Sequence, residues 1–308
     1  MGIQHRRCQA DDAWLIRTFL RDAFLADHRR SRVWHVARFD YTWWHVLPNV
    51  ADTRLEDVAW LWEEDGRIVG LLLPDGGPGD AHLSVAPGAR GRVEAAMLDV
   101  AETELSAPHG EGQARLVVWA HAGDPGLADL LGRRGYRRSD VCERRWRGAI
   151  DSERDDAAPP AGYAIRPLGD GLELLERCHA SGLAFHDGDL AVAAENRADT
   201  SWYRRVQRAP LYRRDLDIVA VDQHGAVAGF ATAWFDDVTR SVLLEPVAVV
   251  PAHQRRGLGR ALVSAALGQA ARQGATLALV GAYDDAADAL YGSFLDGHDD
   301  HEAWALAR

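Results

Sequence analysis

EPVAVVPAHQRRGLGRALVSAALGQAARQG, residues 245–274, is an apolar run, an arginine cluster broken by glycines, and an alanine-rich helical pattern. A strand here must stop near Val250, because Pro251 has no N–H to give a ladder. The helix is expected to begin around Gly257. Between the two stand Gln254, Arg255, Arg256, Gly257, Leu258, Gly259 and Arg260. The first amides of a helix have no intrahelical partners and carry the positive end of its dipole. Glycine at 257 and 259 removes the Cβ atoms that would hold a bulky anion away from those donors. The three arginines add forked charge suited to phosphate oxygens. The junction reads as a pyrophosphate seat.

Two familiar phosphate binders are excluded. The chain has no G-x-x-x-x-G-K-[ST] and no lysine at all, its 35 basic residues being arginine, so it holds no P-loop. A dinucleotide fold requires G-x-G-x-x-G inside βαβ units and a ribose-binding acid about 20 residues on; only G-x-G is present, among hairpins.

The 308 residues suit two domains of about 150 residues each. The segment IDSERDDAAPPAG, residues 150–162, has a linker's composition. On either side the chain repeats one pattern. IQHRRCQADDAWLIRTFLRDAF matches YAIRPLGDGLELLERCHASGLAF; VAWLWEEDGRIVGLLL and LDIVAVDQHGAVAGFATAWF are both hairpins; AHLSVAPGARGRVEAAML parallels EPVAVVPAHQRRGLGRALV. The expected organisation is a domain at 1–149, a linker at 150–162 and a second domain at 163–308. Each domain reads β-α-β-β-β-α-β-α, an α/β fold with a mixed, mostly antiparallel sheet flanked by helices.

The net charge is −11, about −2 in residues 1–150 and −9 in the remainder. Without a basic stripe the chain is a poor ligand for nucleic acid and suits a cationic small molecule better. No apolar run approaches the ~18 residues of a membrane span, and the N-terminus lacks a secretory pattern; a soluble, cytoplasmic protein is expected. Cys8, Cys142 and Cys178 form neither a disulfide framework nor a metal motif, and Cys178 reads as a small core residue.

VVPAHQRRGLGRAL, residues 249–262, resembles the Q/R-x-x-G-x-G/A motif of the GNAT acyltransferase superfamily, and the element order of both halves resembles that fold. Size and duplication are similar to the tandem, mycothiol synthase-like enzymes of actinobacteria. The resemblance implies acetyl-CoA as cosubstrate. The backbone amides from Arg255 through Arg260 would hold its pyrophosphate, and Val247 to Val249 would run beside its pantetheine arm. Pro246 after Glu245 fits the bulge from which such sheets splay open. Glu245 is then the expected general base and Tyr291, in ADALYGSF, the donor to the departing sulfur. Asp284 stands where the family keeps an asparagine, and accepts where asparagine donates. The implied reaction is acetyl transfer to the amine of a small molecule by a monomer or homodimer. A hydroxyl or hydrazine acceptor, another acyl-CoA, or non-catalytic acetyl-CoA binding are the alternatives.

The first copy departs from the motif. In APGARGRVEAAM, Arg90 and Gly91 remain while Val93 replaces the second glycine, and Leu131 replaces the tyrosine; this copy is expected to keep the fold without the chemistry. Asp296, His298, Asp299, Asp300 and His301 match no standard ligand spacing, so no metal is expected and the segment reads as a solvated turn before a last strand. Trp14, Trp34, Trp43, Trp44, Trp60 and Trp62 read mainly as core anchors. His186, Asp187 and Trp202, after the first helix of the second copy, are the expected substrate-side residues.

Overall fold

The hairpin turns expected at residues 64–67 and 223–226 form where left-handed backbone is available: Asp65 and Gly66 have φ of 49° and 76°, and Gly225 has φ 85°. The computed structural model describes residues 2–109, 113–153 and 157–307. Residues 154–156 of the expected linker lie outside the described residues.

The chain divides into two units, Met1–Arg145 with Ala282–Asp285 and His298–Arg308, and Trp146–Gly281 with Ala286–Gly297. The elements in chain order are β1 (Gln4–Arg7), α1 (Ala13–Ala26), α2 (Val36–Tyr41), α3 (Leu55–Val58), β2 (Trp60–Glu64), β3 (Arg67–Pro74), β4 (Asp80–Val85), α4 (Glu94–Glu104), β5 (Ala107–Pro108), β6 (Ala114–His121), α5 (Pro125–Arg133) and β7 (Arg137–Ala149). There follow β8 (Tyr163–Pro167), α6 (Leu172–Phe185), α7 (Leu190–Ala198), α8 (Ser201–Val206), β9 (Asp217–Asp222), β10 (Val227–Asp236), β11 (Ser241–Val249), α9 (Leu258–Arg272), β12 (Leu277–Ala282), α10 (Asp285–Gly292) and β13 (Gly297–Ala307).

In the first unit the strand order is β1-β2-β3-β4-β6-β13-β7, with β5 on β6. In the second it is β12-β11-β10-β9-β8, and the end of β7 lies beside β12. The parallel pairs β4 with β6 and β11 with β12 each extend over only three residues. The fourth and fifth strands of each copy therefore run together briefly and then part.

One side of the first unit's sheet packs on α4 through Leu83, Val85, Val93, Met97, Leu98 and Val118. Trp34, Trp60 and Trp62 are buried, while Trp14 is exposed beside Trp43. In the second unit α9 covers β10 and β11 with buried Leu258, Leu262, Ala266 and Leu267. A Cβ on Gly229 of β10 would lie 3.0 Å from Leu262 Cδ1, so odd-numbered residues around it face α9. The even-numbered Phe230, Thr232 and Trp234 face the other side. Cys178 is fully buried, with its thiol pushed up to about 12 by desolvation, as befits a core residue.

Two features depart from the sequence reading. The last strand does not close the second unit: His301–Ala307 pairs with Arg115–His121 of β6 in the first. The segment at 298–301 is not a solvated turn either, because β13 starts at Gly297 and buries Asp299 and His301. There His121 Nε2 stands 3.3 Å from Asp299 Oδ1 and its ring 5.3 Å from that of His301. Among the described residues no group of three or more such side chains could hold a metal ion. No described helix is long and apolar enough to cross a membrane.

Candidate active site

β11 changes character halfway along. Ser241 to Leu244 are buried, whereas Glu245 to Val249 are half-exposed although three of the five are Val or Ala. Register explains the change. On β10, Ala233 pairs with Leu244 and Ala231 with Val247, so Thr232 alone opposes both Glu245 and Pro246. This is a bulge with two residues against one, and the Glu245–Pro246 peptide within it is cis. On the other side of β11, β12 pairs only with Ser241 to Leu243. Val247 and Val249 thus carry backbone groups along a parted edge, available to an extended ligand.

That edge leads straight into the glycine–arginine turn. Gln254 Nε2 donates to the Val249 carbonyl at 3.1 Å. Arg255 has φ 60° and Gly257 φ 83°, both left-handed; Gly257 is the N-cap of α9, and no side chain caps the helix. Its first amides keep their donors for something else. Gly259 sits close beneath, where an added Cβ would stand 3.3 Å from Leu290 Cδ2 and 4.0 Å from Val249 Cγ2. The end of β11, the start of α9 and α10 therefore meet at Gly259, and Tyr291 follows Leu290 as a buried residue of α10.

The arginines are not equivalent. Arg256 donates to the Tyr163 hydroxyl at 3.0 Å and to the Ala252 carbonyl, while Tyr163 also meets His253 Nδ1 at 2.9 Å. Arg260 bonds Ser293 Oγ at 3.1 Å and lies 5.0 Å over the Phe294 ring. Arg255 is exposed at the turn. The linker borders the turn as well: Ala157 N–H donates to Ser264 of α9, and Pro160 Cγ lies 3.7 Å from where a Cβ of Gly257 would be.

These residues fit a pyrophosphate-bearing coenzyme. A left-handed glycine, an uncapped helix start and a parted strand edge form one continuous path. His186 and Asp187 are exposed after α6, and a Cβ on neighbouring Gly188 would stand 4.0 Å from Pro251 Cγ. Trp202 packs half-buried on Tyr203, with ring centroids 5.2 Å apart. Asp284, exposed, belongs to the stretch Ala282–Asp285 of the first unit.

The first unit shows how the same path closes. Gly91 keeps the left-handed φ of 77°, but Glu94 returns its carboxylate to the Gly91 N–H at 2.9 Å and the Val93 N–H at 3.2 Å. Arg90 is turned away into a bidentate pair with Asp27 at 2.9 and 3.1 Å. β4 pairs with β3 without a bulge. Between β4 and β6 there remains a cavity of about 20 Å³ lined by Val85, Glu94, Trp119, His121 and Leu127, room for about one water. Val93, in the second glycine's place, is buried in the core. The sequence reading missed Glu94, although a visible signal was there: it replaces Arg260, three residues after the left-handed glycine, with the opposite charge.

Residues 185–295 match the Acetyltransferase (GNAT) family. Curated relatives include a mycothiol acetyltransferase of Saccharopolyspora erythraea, 30% identical over 61% of this chain and 62% of that protein. Another, from Geodermatophilus obscurus, is 33% identical over 43% of this chain and 44% of that protein. The matched stretches thus span less than two thirds of these relatives' lengths. Among solved structures, a GCN5-related N-acetyltransferase from Sphaerobacter thermophilus aligns over 99% of this chain and 95% of its own, with TM-score 0.65 and 18% identity. A tandem GNAT protein from the clavulanic acid biosynthesis pathway aligns over 99% and 98%, with TM-score 0.64 and 19% identity. Residues 185–295 thus resemble the GNAT acetyltransferase family, and the chain as a whole shares the fold of tandem GNAT proteins.

Proposed function

We propose that the second unit transfers an acetyl group from acetyl-CoA directly to the amine of a small molecule. The observation that carries this reading is the uncapped α9 N-terminus, with left-handed Gly257, at the end of a β11 edge that β12 leaves after Leu243. Bound acetyl-CoA supplies the activated acyl group as a thioester. The amides of residues 255–260 and the Arg255 side chain hold the phosphates, and the Val247–Val249 backbone aligns the arm.

The protein's own groups have three tasks. Glu245, at the bulge, takes a proton from the attacking amine, directly or through a water. The Val249 N–H, on the parted edge, polarises the acyl oxygen, where a fixed donor is worth most. Tyr291 gives a hydrogen bond to the departing sulfur. His186 and Asp187 border the acceptor's approach, and the acidic balance of residues 151–308, about −9, favours a cationic acceptor.

The test is thiol release from acetyl-CoA across a panel of small primary amines, including an acceptor of the mycothiol type named in the relatives. Turnover with an amine supports the reading. Coenzyme binding without turnover on any amine, hydroxyl or hydrazine would make the chain a non-catalytic binder.

A further inference from the structure

A β-bulge leaves backbone groups without ladder partners, and a buried carbonyl left so is costly. At the β11 bulge a side chain bonds the backbone. The Trp234 indole N–H, on the β10 face away from α9, donates to the Glu245 carbonyl at 2.5 Å. Trp234 is fully buried and pairs across the ladder with Leu243, two residues before Glu245.

The indole is itself held in place. Tyr212 packs edge-on against it at 6.1 Å and 70°. The Tyr212 hydroxyl donates to Asp217 Oδ2 at 2.8 Å, beside that of Tyr203 at 2.6 Å, and Thr232 donates to Oδ1 at 3.1 Å. Arg177, buried over the Phe230 ring at 3.4 Å, neutralises this carboxylate from 3.9 Å. Three hydroxyl donors and a guanidinium thus fix one aspartate, which fixes Tyr212, which backs Trp234. So many buried polar groups in one network specify a single arrangement.

We propose that Trp234 is the positioning residue of the reaction: its N–H clamps the Glu245 carbonyl and so sets the direction in which the Glu245 side chain presents its carboxylate. The inference rests on Glu245 acting as the base. Trp234 touches neither substrate nor coenzyme; it acts through the backbone of its neighbour.

The test is a double-mutant cycle of Trp234→Phe and Glu245→Gln. Thiol release from acetyl-CoA is read both with water alone and with the best amine of the panel. Phenylalanine keeps an aromatic ring but removes the donor. Turnover should fall about ten-fold in the Glu245 background, as small misplacements of a reacting group do, while coenzyme A affinity by calorimetry stays within about two-fold. In the Glu245→Gln background, Trp234→Phe should cause no further loss. Should Trp234→Phe fail to fold, benzothienylalanine at 234 keeps the shape of the ring without its N–H and gives the same reading. Unchanged turnover, or equal losses in both backgrounds, overturns the proposal. Wild-type turnover in Glu245→Gln instead overturns the base assignment, and with it any role of Trp234 through Glu245. Release with water but with no amine overturns only the choice of acceptor and leaves the cycle readable.

Discussion

Glu94 and Arg260 occupy the same place in the two copies, three residues after a left-handed glycine at a helix N-terminus, with opposite charge. Glu94 folds back on the amides that its own copy would offer an anion. Arg260 leaves them open and turns to Ser293 and Phe294.

One coenzyme A should therefore bind per chain. A fixed carboxylate in the first copy's seat repels phosphate, and the cavity behind it, about 20 Å³, admits no pantetheine arm. Calorimetry should give a stoichiometry of one, and a second equivalent site would contradict the reading.

The two glycines of the seat should respond differently to substitution. Gly257 lies at φ 83°, where an added Cβ would make only an ordinary 3.7 Å contact with Pro160, so Gly257→Val forces a left-handed β-branched residue, at a cost of about 1–2 kcal/mol. Coenzyme binding should be lost while the fold persists. Gly259→Val meets Leu290 at 3.3 Å, so it should also loosen α10 and lower the melting temperature further. Calorimetry and thermal melts on both variants separate the effects.

Glu245→Gln should lower turnover about 10²-fold, the low end for loss of a general base. Tyr291→Phe should lower turnover with coenzyme A affinity little changed, since the contact is made to the departing sulfur. Steady-state kinetics and calorimetry check both variants; wild-type turnover in Glu245→Gln would leave that carboxylate a structural group.

Residues 160–308 alone should aggregate. In that fragment β13 loses β6, its partner over seven residue pairs, and offers an unpaired edge. Light scattering and activity of the fragment decide this, and a monomeric, fully active fragment would refute it.

Acid should destabilise the first unit. His82 and His301 are buried with pKa values well below the usual 6.5, first because of desolvation and then because of Arg145. The unfolded chain then binds protons that the folded one refuses, so stability is full above about pH 6.5 and falls as pH drops below it. The slope is about 1.4 kcal/mol per pH unit for each histidine. His301→Gln should show a shallower loss of melting temperature between pH 7 and 5 than wild type; an identical slope would exclude His301 as a contributor.

Much of the site was legible in the sequence because its determinants are local. Pro251 stops a strand, glycine at 257 permits a left-handed cap, arginines add positive charge where the helix start is already positive, as an anion would require, and two copies of one pattern show which has lost the motif. Trp234 was not legible, because the alternation of β10 marks it only as a buried aromatic; that its N–H meets a carbonyl eleven residues on depends on the β10–β11 register and on the bulge that shifts it. Nor could the sequence say where β13 would pair. A strand's alternation fixes which face is buried but not which edge receives it, so the last strand joined β6, buried Asp299 and His301, and closed the first unit with the chain's final residues. Local geometry came from the sequence by itself; the choice among distant edges was made only by the tertiary structure, where backbone groups far apart in the chain must all find partners.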